Sequence, residues 1–362
     1  MKRQLRFRSA RDRGAFSLVE LLVVMLIVSI LGGTVVSVLA LVFGMFNQLN
    51  DYMAGREEIE FIVQSVGREI TNVGLGMPNN RQGKGSFASS FHEDASASNA
   101  PIMAQMGAYN ENWGGPVTLG KDNPGNLYTS AQMVTTMTTV GGRSFYEGPE
   151  LYYAWAVPTG VKVALDGAGT DPMKRGGDAL PLSVYPYDGA RSGLQVLQNF
   201  SYDGRNIGIR VNAPAKTSSW IVFPSFRIPV LITAIDAGAA KMTAQVAPYS
   251  HPGDLSAPFM GLEEVFLLQA ARLYRNAQHE LVQLIFEDPA TTTEKILAHN
   301  IVGLHFAYDP VRRILSMYVA AEGQETGLNV GGVTSSDWPA FAAPLSGSHR
   351  FVVERIDWRI RN

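Results

Sequence analysis

The residue most out of place chemically is Glu20. It opens an apolar run in which no side chain from Leu21 to Phe46 is ionisable. A charged side chain on a membrane-crossing helix costs roughly 2.5–3.5 kcal/mol even on insertion scales, so such a group needs a partner. A carboxylate there has two uses. It can bind a cation, because an acid and an ammonium that must both leave water stabilise each other. Or it can snorkel to the lipid headgroups. Its place near the start of the helix helps in either case, since the helix dipole favours an anion in the first turn.

No comparable pattern is found elsewhere. The six histidines, His92, His251, His279, His299, His305 and His349, contain no His-x-x-x-His pair. Ser346-Gly347-Ser348-His349 lacks the Gly-x-Ser-x-Gly frame of a nucleophile elbow. Gly83-Lys84-Gly85-Ser86 fails as a phosphate loop, because Pro78 stands where the first Gly belongs and Gly85 replaces the hydroxyl residue after Lys. Asp166 to Asp171 offer oxygen ligands for Ca2+, and turn chemistry accounts for the same residues without a metal. The five tryptophans, Trp113, Trp155, Trp220, Trp338 and Trp358, read as core or sheet anchors. The chain has no cysteine, which excludes disulfides, thiolate chemistry and Cys-ligated zinc. The expectation is a protein that is not an enzyme and carries no cofactor and no metal.

Three elements must position Glu20. Residues 1–15 form a basic leader carrying Lys2, Arg3, Arg6, Arg8, Arg11 and Arg13 against Asp12. By the positive-inside rule the leader stays cytoplasmic and the body lies beyond the inner membrane. Without it, 24 of the 30 basic and 31 of the 32 acidic residues remain, near −7, which argues against a body adapted broadly to nucleic acid. Residues 16–48 form the apolar half of a helix. At ~1.5 Å per residue the 26 positions from Leu21 to Phe46 reach ~39 Å, enough to cross a hydrocarbon core of ~30 Å with tilt. This run is too long for the apolar core of a secretory signal, and Val38-Leu39-Ala40 is a poor cleavage site for one. Gly32-Gly33 interrupt it, either as tolerated flexibility and close packing or as a place to bend. Residues 49–74 continue as an amphipathic half. Tyr52, Ile59, Val63, Val66, Ile70 and Val73 share one face, and Arg56, Glu57, Glu60, Gln64, Arg68 and Glu69 the other. Gly74, Gly76 and Pro78 end the helix.

The string Phe16-Ser17-Leu18-Val19-Glu20, after a basic leader and small residues and before an apolar helix, resembles the type IV prepilin signature. The resemblance implies cleavage by a prepilin peptidase between Ala15 and Phe16, N-methylation of Phe16, and pairing of Glu20 with the terminal ammonium of a neighbouring subunit. The family prefers Gly before the Phe. Here Gly14 lies one residue earlier, and a cut after Gly14 would make Glu20 the sixth residue.

Residues 75–147, rich in Gly, Ser and Asn, read as a connection with a short helix near 129–140. From residue 148 to 362 short strand-like runs dominate, at 151–157, 179–187, 207–211, 220–223, 230–235, 242–247, 265–268, 281–286, 301–308, 314–319 and 351–360. Pro, Gly, Asp and Asn separate them, as in antiparallel β structure. In the last run Val352, Ile356, Trp358 and Ile360 alternate with Val353, Arg355, Asp357 and Arg359, and Glu354 breaks the apolar face. The expected fold is α+β and type IV pilin-like: a long N-terminal helix packed on an antiparallel β-rich head.

The body also resembles PilW-like minor pilins, at Gly67-Arg68-Glu69-Ile70 with Asn72-Val73-Gly74, at Gly177–Leu180, at Arg272-Leu273-Tyr274-Arg275, and from Ile301-Val302-Gly303-Leu304 to Tyr308. The resemblance implies a minor pilin that primes or caps a pilus. Its partners would be the prepilin peptidase, the major pilin, other minor pilins, the inner-membrane assembly platform and, before assembly, membrane lipid, with no nucleic acid. It would sit in the inner membrane as a single pass and then in the pilus at the cell surface. Alternatives are a minor pseudopilin of a type II secretion system, or a membrane-anchored binding module or enzyme.

Overall fold

In the computed structural model the described residues are 17–74, 117–120, 137–167, 170–175, 177–212, 217–223, 225–226, 230–246, 257–259, 261–288, 291–323, 338–345 and 351–360. Helix α1, Leu18–Asn72, is unbroken through Gly32 and Gly33. It ends where Gly74 takes a φ of 76° and donates its N–H to the Ala154 carbonyl at 3.1 Å. Gly76 and Pro78 lie outside the described residues. The chain divides into two compact units, residues 1–51 and 52–362.

Along the second unit the strands are β1 Val117–Gly120, β2 Thr138–Val140, β3 Arg143–Gly148, β4 Glu150–Leu165, β5 Met173–Lys174 and β6 Ala179–Val184. Helix α2, Gly193–Gln198, follows, then β7 Ser201–Tyr202, β8 Arg205–Asn206, β9 Trp220–Val222, β10 Val230–Asp236 and β11 Lys241–Val246. The remainder are β12 Ala257–Pro258, β13 Leu262–Arg275, β14 Leu281–Asp288, β15 Thr291–Ala298, β16 Ile301–Asp309, β17 Ile314–Glu322 and β18 Phe351–Arg359.

The long antiparallel pair β4–β13 is the spine of the head. Midway, β4 places Thr159, Gly160 and Val161 opposite Val265 alone, since Pro158 pairs with Phe266 and Lys162 with Glu264. Gly160 takes a φ of 74°, its N–H goes to Glu264 Oε1 at 2.9 Å, and the Thr159 hydroxyl donates to the Val265 carbonyl at 2.7 Å. A bulge of this kind bends a strand and sharpens its twist. On one side of it the sheet runs β1–β4–β13–β14–β15. Around the bulge, the pairings β4–β6, β6–β11, β11–β10, β10–β9, β9–β13 and β13–β4 form a closed six-stranded ring. Closure removes the open edges that these strands would otherwise expose. The buried alternate residues Val161, Val163, Leu180, Leu182, Val184, Met242, Ala244 and Val246 belong to the ring strands. Phe223, Phe226 and Phe259 pack edge-on beside them, with ring centroids 5.1–6.4 Å apart.

A second antiparallel sheet has the order β18–β17–β16–β3–β2. Its outer face is crossed by residues 338–345, with Phe341 against Phe145, His305 and Tyr318, and Trp338 against Gly303. A buried ion pair marks the junction of spine and sheets. Arg272 Nη2 and Nε each lie 2.6 Å from Glu150 Oε2, both side chains are 2–3% exposed, and the guanidinium also sits over the Tyr274 ring at 4.2 Å. Burial works against the Arg272 charge, and Glu150 more than offsets it, so the Arg272 pKa is raised.

The α+β architecture expected from the sequence is present: one long helix and an antiparallel β-rich head. Several local expectations are corrected. Residues 207–210 are not a strand. Ile207 donates to the Phe200 carbonyl after α2 and Ile209 to the Leu197 carbonyl in the last turn of α2, not to a strand ladder. Residues 138–140, expected in a short helix, form β2, because Gly141 and Gly142 both take positive φ and close a two-residue hairpin to β3. The rest of that expected helix, 129–136, lies outside the described residues. Within 75–147, β1 joins the spine sheet and β3 the second sheet. Strand β15 had no forecast. Its Thr293, Glu294 and Lys295 are exposed at a sheet edge, so no apolar alternation announces it.

Candidate functional site

The site starts at the first turn of α1. Ser17 precedes the helix and caps it. The Glu20 N–H donates to Ser17 Oγ at 3.2 Å, and the Ser17 N–H donates to Glu20 Oε2 at 2.9 Å. This is a reciprocal capping box, and it satisfies two N–H groups that a helix start otherwise leaves unpaired. Glu20 therefore has a partner inside its own chain. The signal was present in the sequence as Ser-x-x-Glu before an apolar run, although the family resemblance points only to a partner in another subunit. Gly14, Ala15 and Phe16, the residues of the expected cleavage and methylation site, lie outside the described residues.

Past the cap, residues 17–50 are exposed on every face of the helix, Leu22 (60%), Leu31 (58%) and Phe46 (66%) among them. A helix apolar all round belongs in lipid or among other helices. The hydroxyls of Ser29, Thr34 and Ser37 donate back to carbonyls of the preceding turn, at 2.8–2.9 Å, so they add little unmet polarity. The long apolar helix suggests a single membrane-spanning segment with a globular domain beyond it.

The second half of the helix, from Tyr52, is built differently. Gly55, Ile59, Ile62, Val66, Glu69, Ile70 and Val73 are buried at intervals of three and four. The expected stripe is turned slightly: Tyr52 is 48% exposed and Val63 only half-buried, while Gly55, Ile62 and Glu69 face inward. Glu69, expected on the solvent side, is 5% exposed. The Tyr153 hydroxyl donates to its Oε2 at 3.1 Å, and Gln283 Nε2 donates to the same oxygen and contacts the Tyr153 hydroxyl at 2.6 Å. Burial raises the Glu69 pKa, and the two hydrogen bonds pull part of that back. The spacing could have revealed Glu69, which lies seven residues from Ile62. Its charge hid it.

The helix approaches the head closely at Gly55 and more loosely at Gly67. A Cβ on Gly55 would lie 3.1 Å from Val352 Cγ2, and one on Gly67 would lie 3.7 Å from Trp358 Nε1. Val73 pairs with Trp155 in a single β-bridge.

The described residues among the remaining candidates engage neighbours within the head. His305 Nε2 lies 2.5 Å from Glu147 Oε2 and His299 Nδ1 3.1 Å from Glu280 Oε1. His279 sits in the turn before β14 with a φ of 60°. His92, His251 and His349 lie outside the described residues. The Asp166 carboxylate faces Lys241 Nζ at 2.6 Å and the Ser183 hydroxyl at 3.0 Å, and Asp171 accepts the Met173 N–H at 2.8 Å, so turn and ion-pair contacts engage both acids. Among the described residues no group of three or more His, Asp and Glu could hold a metal ion. Trp155, Trp220 and Trp358 are buried anchors, Trp338 is half-buried, and Trp113 lies outside the described residues.

No family model, no curated protein and no solved structure matches this chain. The architecture stands alone as the structural finding. A long N-terminal helix, apolar all round in its first half and packed on a β-rich head in its second, is consistent with a type IV pilin-like fold in general.

Proposed function

We propose that this protein is a pilin-like filament subunit of the PilW-like minor type, cleaved between Ala15 and Phe16, methylated at Phe16 and incorporated into a pilus to prime or cap it. The observation that carries the reading is one continuous helix from Leu18, with Glu20 in its first turn, an all-round apolar first half and a head-packed second half. Before assembly the apolar half resides in the inner membrane. In the filament the apolar halves of neighbouring subunits bury one another. Apolar surface gains ~25 cal/mol per Å2 when removed from water, so such a helix leaves lipid only for another apolar environment.

Glu20 has the chemical task of receiving the new N-terminal ammonium of a neighbouring subunit as both leave water, each charge meeting the other's desolvation cost. The capping box holds the carboxylate near the helix start through Oε2, and Oε1 is the oxygen assigned to the incoming amine. The prepilin peptidase, the assembly platform, the major pilin and other minor pilins are the partners this role requires.

N-terminal mass analysis of the protein isolated from cells tests cleavage and methylation together. The expected mass begins at a methylated Phe16. A chain that still begins at Met1 would overturn the reading.

A further inference from the structure

We infer that the head binds an ordered water molecule in the fork where β13 exchanges β9 for β14. Trp155 Nε1, Gln269 Oε1 and Ser219 Oγ hold it, and it fixes the strand segment on which α1 ends. The site lies within a single head and needs no second subunit.

The fork follows from the register. On one edge β13 pairs with β4 from Leu262 to Leu273. On the other edge it pairs with β9 at Phe266 and Leu267, opposite Val222 and Ile221. Its pairing with β14 begins only at Ala271, opposite Ile285. Leu268, Gln269 and Ala270 fall between these two partners. Here the closed ring parts from the open sheet.

Three buried polar side chains meet at this fork. Trp155 on β4 stands directly opposite Gln269, so the two point to the same face. Ser219 ends the short 3-10 turn Thr217–Ser219 that leads into β9. Carrying the β9 register back two residues from Ile221 brings Ser219 beside Gln269 on the other edge, and two residues is the period that keeps a side chain on one face. All three residues are at most 1% exposed. The Gln269 amide is oriented by Nε2, which donates to the Leu268 carbonyl at 2.6 Å. Its Oε1, the Trp155 Nε1 and the Ser219 Oγ make no hydrogen bond with any described residue. The neighbouring polar cluster differs, because Glu69, Tyr153 and Gln283 satisfy one another.

Buried donors and acceptors are seldom left unpaired, since each then bears the full cost of leaving water. Neighbouring strands lie ~4.8 Å apart. Two hydrogen bonds of ~2.8 Å meeting at one oxygen span about 4.6 Å, so a single water bridges from strand to strand. It accepts from the Trp155 N–H, donates to Gln269 Oε1 and exchanges a hydrogen bond with the Ser219 hydroxyl. Three bonds are the usual complement of a buried water. The three groups are neutral: one donor, one acceptor and one that is both. An ion finds no countercharge among them, and a water finds all its partners.

The same indole receives the end of the helix. Val73 pairs with Trp155 in a β-bridge, the Gly74 N–H donates to the Ala154 carbonyl at 3.1 Å, and the Trp155 ring stacks on Tyr153 at 5.3 Å. A water tying Trp155 to β13 and to the turn before β9 holds this segment in place.

The test uses the full chain, perdeuterated, with 15N-labelled tryptophan, in detergent micelles. The Trp155 indole signal is the one missing from Trp155→Phe or, if that variant does not fold, the one that moves most in Gln269→Met. The expected result is a magnetisation-transfer cross-peak between water and the Trp155 indole proton, with the sign of a long-lived bound water. Ser219→Ala removes the adjacent hydroxyl and should keep the cross-peak. Gln269→Met is close in volume and removes the acceptor. It should weaken the cross-peak at least threefold and speed amide exchange at Gly74 at least threefold, with circular dichroism and the other indole signals unchanged.

A folded parent without the cross-peak would overturn the water site. Loss of the cross-peak in a folded Ser219→Ala chain would trace it to the hydroxyl proton and overturn the site as well. A cross-peak weakened in Gln269→Met with exchange at Gly74 unchanged would overturn the link to the helix end.

Discussion

Tyr153 on β4 donates its hydroxyl to Glu69 Oε2 on α1 at 3.1 Å, in a buried polar cluster that Gln283 completes. The bond fixes which helix residue faces which strand. A buried donor left without its acceptor costs about 1–3 kcal/mol, and bonds to charged groups lie at the upper end. Glu69→Ala is expected to destabilise the head by an amount in that range, and Tyr153→Phe by ~1.5–3 kcal/mol, read by urea unfolding followed through tryptophan fluorescence.

The same carboxylate predicts a pH dependence. Burial places the folded-state pKa of Glu69 above its unfolded value. The folded state therefore binds the proton more tightly, and this group's contribution to stability is fully present below the ordinary carboxylate range. It is lost as pH rises through the raised pKa. Glu69→Gln keeps a polar group against Tyr153 without the charge. Its thermal midpoint should exceed that of the parent at pH 7, and the gap should close on acidification. A parent that is more stable than the variant at pH 7 would contradict the assignment.

Glu150 and Arg272 share almost no water, so removing one partner strands the other. Glu150→Gln or Arg272→Met alone should cost about 3–5 kcal/mol, whereas replacing both by apolar residues of similar volume should cost far less. A double-mutant cycle in urea separates these outcomes.

Gly148 ends β3 against the Gly120 carbonyl at the end of β1, where a Cβ would overlap backbone. Gly148→Ala should destabilise by ~1–3 kcal/mol through displacement of β1. The loss should appear as faster amide exchange in 117–120.

Glu20→Gln separates the two roles of that side chain. A capping box accepts Glu or Gln at this position, so helix content should stay within experimental error of the parent. The negative charge is gone, and incorporation into filaments should fall to the level of Glu20→Ala. Normal incorporation of Glu20→Gln would mean that the carboxylate serves the helix start alone. Ser17→Ala should cost the helix about 1 kcal/mol without removing the charge.

Much of this was legible before any coordinate. The apolar run of 26 residues, the 3.6-residue periodicity after it and the alternation in β18 follow from local patterning, and Trp358 and Ile360 are buried as that alternation requires. Local signals also encode Ser17 three residues before Glu20 and the Gly141-Gly142 pair that closes the β2–β3 hairpin. The edge strand β15 left no trace in the pattern, because an exposed edge imposes no alternation on Thr293, Glu294 and Lys295.

The sequence by itself determined that the chain has a long helix with an apolar half, a lone acid at its start and an antiparallel body, because each depends on neighbours within a few residues. The tertiary structure alone decided that β4 and β13 bend at Gly160 and close a six-stranded ring, and that Glu69 turns inward to Tyr153 and Gln283. It alone placed Arg272 beside Glu150. Those outcomes depend on residues more than eighty positions apart, and local periodicity carries no record of which distant side chain will supply a hydrogen bond or a countercharge.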